Sequence, residues 1–105
     1  MYELNYTGKF KKDLKVCQKR KYNLKLLQDV IDTLRIPEPL EEKNKDHNLT
    51  GNYSGFRECH ILPDWLLIYR YNGECLELAR TGTHSDLFKL YSRRQPLRFY
   101  QHVIV

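Results

Sequence analysis

The chain has 105 residues, 30% of them charged, and a formal net charge of +5 from 18 Lys and Arg against 13 Asp and Glu. That length suits one domain burying roughly 65% of its unfolded surface without staples. The 3 cysteines (Cys17, Cys59, Cys75) lack the close spacing of a zinc ribbon or a disulfide framework, which fits a reducing compartment. No apolar run approaches the roughly 18 residues of a membrane span, and the opening MYELNYTGKF lacks the apolar stretch of a secretory signal. A cytoplasmic protein with no membrane association is expected. The basic excess gathers in KKDLKVCQKRK and in Arg93, Arg94 and Arg98. It suits a polyanionic partner, although the first run reads equally as the wet face of a helix.

In chain order, Tyr2, Leu4 and Tyr6 alternate as in a half-buried strand. Thr7 is placed to cap a helix in which Phe10, Leu14 and Cys17 recur at helical spacing between lysines. After a short joint, Asn23 is a second cap, and Leu24, Leu27, Ile31 and Leu34 follow at steps of three and four until Pro37 and Pro39 stop the helix. A joint this short predicts an antiparallel helical hairpin. The polar stretch from Pro37 to Ser54 reads as a long surface connection. Phe56 to Leu62, Trp65 to Tyr71 and Cys75 to Thr81 then read as an antiparallel meander, with Asn72-Gly73 as a hairpin turn. Gly82 permits an exit into a short helix from His84 to about Leu90. The expectation is an α+β domain over residues 1–90, a helical hairpin packed on a small antiparallel sheet in the order β-α-α-β-β-β, with a tail over 91–105 of unassigned structure.

Alternation along the strands separates their faces. Phe56, Glu58 and His60 oppose Arg57, Cys59 and Ile61; Leu76, Leu78 and Arg80 share a face. A guanidinium following two core leucines means that the core ends there or that Arg80 enters a polar cleft. The hairpins bring His60, Asp64, Trp65, Arg80 and His84 to one end of the sheet. Histidine moves protons near neutrality, arginine grips phosphate through paired hydrogen bonds, and Trp65 and Phe88 are of the type that stacks on unpaired bases. Those parts suit RNA cleavage without a metal: a base for the 2′-hydroxyl, a cation for the phosphate and an acid for the departing 5′-oxygen. Each also has a bland reading. His47 is an ordinary loop histidine, His60 and His84 are structural, Asp64 is a turn former and Trp65 packs; His102 is given no role. No H-x-x-x-H or C-x-x-C spacing supports a metal site, and no cofactor is expected.

The patterns DH-x-L-x-G (from Asp46), R-x-x-H-x-x-P-D-W-x-L-I-Y (from Arg57) and R-T-G-T-H-x-x-L-F (from Arg80) are more specific. Together they closely resemble the YafQ branch of the RelE/ParE superfamily of toxin–antitoxin toxins, over roughly Met1 to Phe88. The resemblance implies a RelE-like fold and a ribosome-dependent endonuclease that cuts mRNA in the A site of the 70S ribosome, with contacts to 16S rRNA. It also implies a RelB/DinJ-like antitoxin, with operator DNA bound only through the antitoxin complex. The family's active-site positions fall on His47, His60, Asp64, Trp65, His84 and Phe88. His84 would be the general acid and Asp64 the base or its helper; His47 and His60 would stabilise the phosphate, and Trp65 and Phe88 would hold bases. Arg80 is added from the strand argument as a phosphate or support residue. The tail departs from the family, whose chains stop soon after the L-F. The rival readings are a ParE-like binder of DNA gyrase without catalysis, a ribonuclease acting on free RNA, and a metal-dependent nuclease.

Overall fold

Local chemistry sets the helix ends. The Thr7 hydroxyl accepts from the Phe10 amide and opens α1 (Gly8–Lys19), and the Asn23 side chain accepts from the Lys25 amide at the start of α2 (Leu24–Arg35). Phe10 and Cys17 of α1 are buried with Leu27, Val30, Ile31 and Leu34 of α2, and Leu14, Leu24 and Leu26 pack half-buried against them. Lys9, Lys11, Lys12, Lys15 and Lys19 are all exposed, so the helical part of the basic run is a solvated face. The structure, a computed structural model, describes residues 1–88. The expected reach of the last helix to Leu90, the tail over 91–105, Arg93, Arg94, Arg98 and His102 lie outside the described residues.

The sheet contains β1 (Glu3–Tyr6), β2 (His47–Asn48), β3 (Arg57–Leu62), β4 (Trp65–Asn72) and β5 (Cys75–Gly82), in the order β1-β5-β4-β3-β2. The α+β class and the sequence of helices and strands are as expected, with corrections in the sheet. It is mixed rather than antiparallel throughout, because β1 runs parallel to β5 with Glu3 opposite Cys75 and Tyr6 opposite Leu78. Tight turns force the β3–β4–β5 meander to be antiparallel; β1 reaches the β5 edge through two helices, and no turn dictates its direction. The stretch expected to be only a surface connection also supplies β2, which pairs with β3 so that His47 faces Glu58. A strand of two residues leaves no alternation to read. The β4–β5 turn sits one residue later than expected: Asn72 pairs with Cys75, and Gly73 takes the positive φ of 62°.

Both faces of the sheet are covered. Trp65, Leu67 and Tyr69 of β4 pack toward the helical hairpin, while Leu66 and Ile68 pack on the other face with Leu49, Ala79, Leu87 and Phe88. This is why WLLIY is a continuous apolar run. The second face is closed by the loop around β2 and by α3 (His84–Leu87), and the polar site lies beside that closure. None of the described helices is long and apolar enough to cross a membrane.

Candidate active site

A row of side chains crosses the sheet. His47 is opposite Glu58, Glu58 opposite Ile68, and Ile68 opposite Arg80. Directly opposed residues share a face, so His47 and Glu58 point away from the helical hairpin, as does His60 two residues along β3, whereas Arg80 leaves β5 on that face and turns back over the sheet edge to α1. Gly82 ends β5 on the same side, and α3 then delivers His84. The His47 and His60 rings lie 6.3 Å apart and the His60 and His84 rings 5.8 Å.

Each histidine is fixed through the same ring nitrogen. Nδ1 of His47 is 2.6 Å from the Lys45 carbonyl, Nδ1 of His60 is 3.2 Å from the Pro63 carbonyl, and Nδ1 of His84 is 2.6 Å from Asp64 Oδ1. An acceptor on Nδ1 assigns the neutral ring's proton there and turns Nε2 into the nitrogen that exchanges one. The Nε2 atoms of His47 and His60 stand 3.3 and 3.7 Å from Glu58 Oε1. The quoted motifs and the two residues before the first of them supply the mounts. Asp46 accepts from the Tyr69 hydroxyl at 2.6 Å and from Arg57 Nε at 3.2 Å, pinning the residue before His47. Asn44 donates to the His60 carbonyl at 2.7 Å, and Asp64 accepts from the His84 amide at 3.0 Å.

Glu58 was not singled out from the sequence and is the centre of the cluster. Its side chain is 1% exposed, and neither carboxyl oxygen has a hydrogen-bond partner among the described residues. Burial pushes its pKa up to about 7, against the pull of His47 and His84. Burial also pushes His60 below the ordinary histidine value, with His84, His47 and Lys45 adding to the effect and the Pro63 carbonyl opposing it. Burial raises the Asp64 carboxyl, but the hydrogen bonds and charge of His84 outweigh it and hold it below the usual range. The missed signal was present: Glu58 precedes His60 by two residues in one strand and therefore shares its face. A carboxylate in a strand reads as solvated until burial is known.

Three sequence-based expectations change. Trp65 is 2% exposed, donates Nε1–H to Thr81 Oγ1 at 2.9 Å and packs 4.8 Å from the Tyr22 ring on the helix side of the sheet. It is a core residue on the face opposite the histidines, not an open platform for a base. Phe88 is 6% exposed and meets Tyr53 edge-on at 5.7 Å, within the second core. Arg80 does not share a face with Leu78. A bulge leaves Ala79 between the Ile68–Arg80 and Tyr69–Leu78 pairs and reverses the alternation. Arg80 then forks onto Asp13 of α1, at 2.6 and 3.1 Å, and Asp13 also accepts from the Thr81 amide. Its guanidinium is therefore paired with Asp13. Sequence spacing suggested no metal site, yet Glu58 and His60 of β3 and His84 of α3 offer donor atoms within 4.8 Å of one another, a nitrogen- and oxygen-rich set that fits a transition-metal ion.

A small basic α+β domain that gathers three histidines around a buried carboxyl, with a second carboxylate behind one of them, holds the kinds of group that proton transfer uses. Comparison with known proteins places it more narrowly. Residues 2–89 match the family described as "Bacterial toxin of type II toxin-antitoxin system, YafQ", and the chain belongs to that family. It is 41% identical over 88 residues to the mRNA interferase toxin YafQ of Escherichia coli K12, covering 82% of this chain and 95% of that one. A copper-bound mutant toxin from Helicobacter pylori superposes with a TM-score of 0.81 at 42% identity, over 84% of this chain and all of that one. YafQ in the E. coli DinJ–YafQ complex superposes with a TM-score of 0.77 at 38% identity, over 84% and 99% of the two chains.

Proposed function

We propose that this toxin is an endoribonuclease that cuts mRNA in the ribosomal A site by acid–base chemistry carried by its own side chains. The observation behind this reading is the buried Glu58 carboxyl beside histidines whose Nδ1 atoms are already occupied. With a pKa raised to about 7, Glu58 is ionised in part at neutral pH; enclosed as it is, it acts through the His47 and His60 rings at 3.3 and 3.7 Å, sharing the proton that one of them takes from the 2′-hydroxyl at Nε2. The oxygen so activated attacks the adjacent phosphorus, and the bond to the 5′-oxygen breaks. His84 gives that oxygen its proton from Nε2, and the 2.6 Å contact to Asp64 supports Asp64 as the helper that orients the His84 ring. His47 and His60, when protonated, stabilise the charge that builds on the phosphate. Arg80 and Trp65 act behind this set, holding β5 to α1 and β4 to the helices. Phe88 holds the end of α3 in place.

Two partners follow from the relatives. The DinJ–YafQ complex supports a cognate antitoxin of the DinJ kind for this chain; operator DNA, in this reading, would be bound only through that antitoxin. The copper-bound relative draws attention to Glu58, His60 and His84, which would hold such an ion here and give it a Lewis-acid role. The reading itself uses no step through a metal.

Primer extension on mRNA in a translating extract tests the proposal. Cuts at codon-defined positions are expected, surviving a chelator and disappearing with His84→Ala. Cutting lost on chelation would favour a metal mechanism. Intact mRNA together with a supercoiling defect would favour action on gyrase. Cutting of naked RNA at the same rate would remove the ribosome from the reaction.

A further inference from the structure

His84 is carried by α3, a helix of four residues, and a single turn does not support itself. Its placement converges on Asp86. Inside the turn, the Thr83 hydroxyl accepts from the Asp86 amide at 3.1 Å, and Asp86 Oδ2 accepts from the Thr83 amide at 2.9 Å, a reciprocal cap. From outside, Arg20, the residue that closes α1, donates Nη1 to Asp86 Oδ2 at 2.6 Å and Nη2 to Oδ1 at 3.0 Å. The guanidinium is itself braced by the Tyr22 hydroxyl at 3.3 Å from Nη1, and the Tyr22 ring packs on buried Trp65. Gly82 leaves the room this arrangement needs, since a Cβ there would stand 2.9 Å from Asp86 Oδ2.

We propose that Arg20 and Asp86 are positioning residues for the cleavage reaction: their forked pair ties the end of α1 to α3 and so holds the His84 ring against Asp64 and beside Glu58. The proposal rests on His84 as the proton donor. A two-pronged contact between planar groups fixes orientation as well as distance, which one turn of helix cannot supply by itself. The two side chains are 39% and 27% exposed, and pairs this open add little to overall stability. The consequence of the pair is therefore geometric. A donor displaced by a fraction of an ångström leaves binding intact and slows the chemical step.

Arg20→Gln removes the tether and leaves the Thr83–Asp86 cap in place; Arg20→Lys keeps the charge without the fork. Single-turnover cleavage of mRNA on ribosomes, measured across ribosome concentrations, separates the rate constant from half-saturation. NMR of the 15N-labelled His84 ring reports its environment and titration. The glutamine variant is expected to lose on the order of 10-fold in rate constant at unchanged half-saturation, with the His84 ring signals and titration shifted, and the lysine variant to fall between. An unchanged rate constant, a loss confined to half-saturation, or unmoved His84 signals would overturn the proposal. Thermal melts accompany both variants, and if the glutamine variant does not fold, the lysine variant is judged by the same criteria. Undiminished cleavage by His84→Ala would instead defeat the proton-donor reading, independently of anything seen at Arg20.

Discussion

At the scale of single residues, the burial of Glu58 is the costliest feature of the site. A carboxyl buried without a hydrogen bond costs folding free energy. The folded protein holds this proton up to about pH 7, whereas an unfolded glutamate releases it near 4.5. Between those values the folded state binds more protons, so stability falls as pH rises through the window. Glu58→Gln is expected to abolish cleavage and to raise stability at pH 8 by on the order of 1–3 kcal/mol. Denaturant melts from pH 4 to 8 check this: the gap between variant and wild type should open between pH 4.5 and 7. Trp65 gives the opposite signature. As a buried ring donating to Thr81 on the far side of the sheet, its replacement by alanine should cost about 3–5 kcal/mol. Trp65→Phe should retain most of the activity, measured by cleavage and thermal melts on one preparation; a base-stacking role would instead show as lost activity at preserved stability.

At the scale of elements, the site depends on how short pieces are tied to long ones. β2 contributes two residues and α3 a single turn, and both carry histidines. Each is fastened from outside, β2 through Asp46 to Tyr69 and Arg57, and α3 through Asp86 to Arg20. Gly82→Ala places a methyl group 2.9 Å from Asp86 Oδ2 and should displace α3. Cleavage should drop more than tenfold while the melting temperature moves by only a few degrees, since the displaced element is one turn long. The bulge at Ala79 is the element-level feature that alternation could not foresee. Counting by twos along β5 put Arg80 on the face of Leu78, and one unpaired residue moved it to the other. The resulting Asp13 contact closes the β5 edge where β1 stops, at the Tyr6–Leu78 pair.

At the scale of the whole molecule, the net charge of +5 and the exposed lysines of α1 suit attachment to a large polyanion. Raising salt from about 50 to 200 mM should weaken half-saturation on ribosomes by roughly tenfold or more while the rate constant at saturation changes little. The helices, the meander and the family were legible because they rest on local rules: caps at Thr7 and Asn23, apolar steps of three and four, and motifs that keep their spacing along the chain. The convergence of His60, Asp64 and His84 was legible for a related reason, since tight turns force the ends of adjacent strands together. Other features depend on the face a residue occupies and the neighbours it meets across the sheet. Glu58 looks like a solvated strand residue until Leu66, Ile68 and the β2 loop enclose it. Trp65 looks like a binding aromatic until its alternation with Leu66 sends it to the helices. Arg80 looks like a free cation until α1 brings Asp13 over the edge. Local sequence specifies backbone conformation and spacing, whereas burial and charge pairing are set by contacts between residues far apart in the chain, and only the assembled fold decides those.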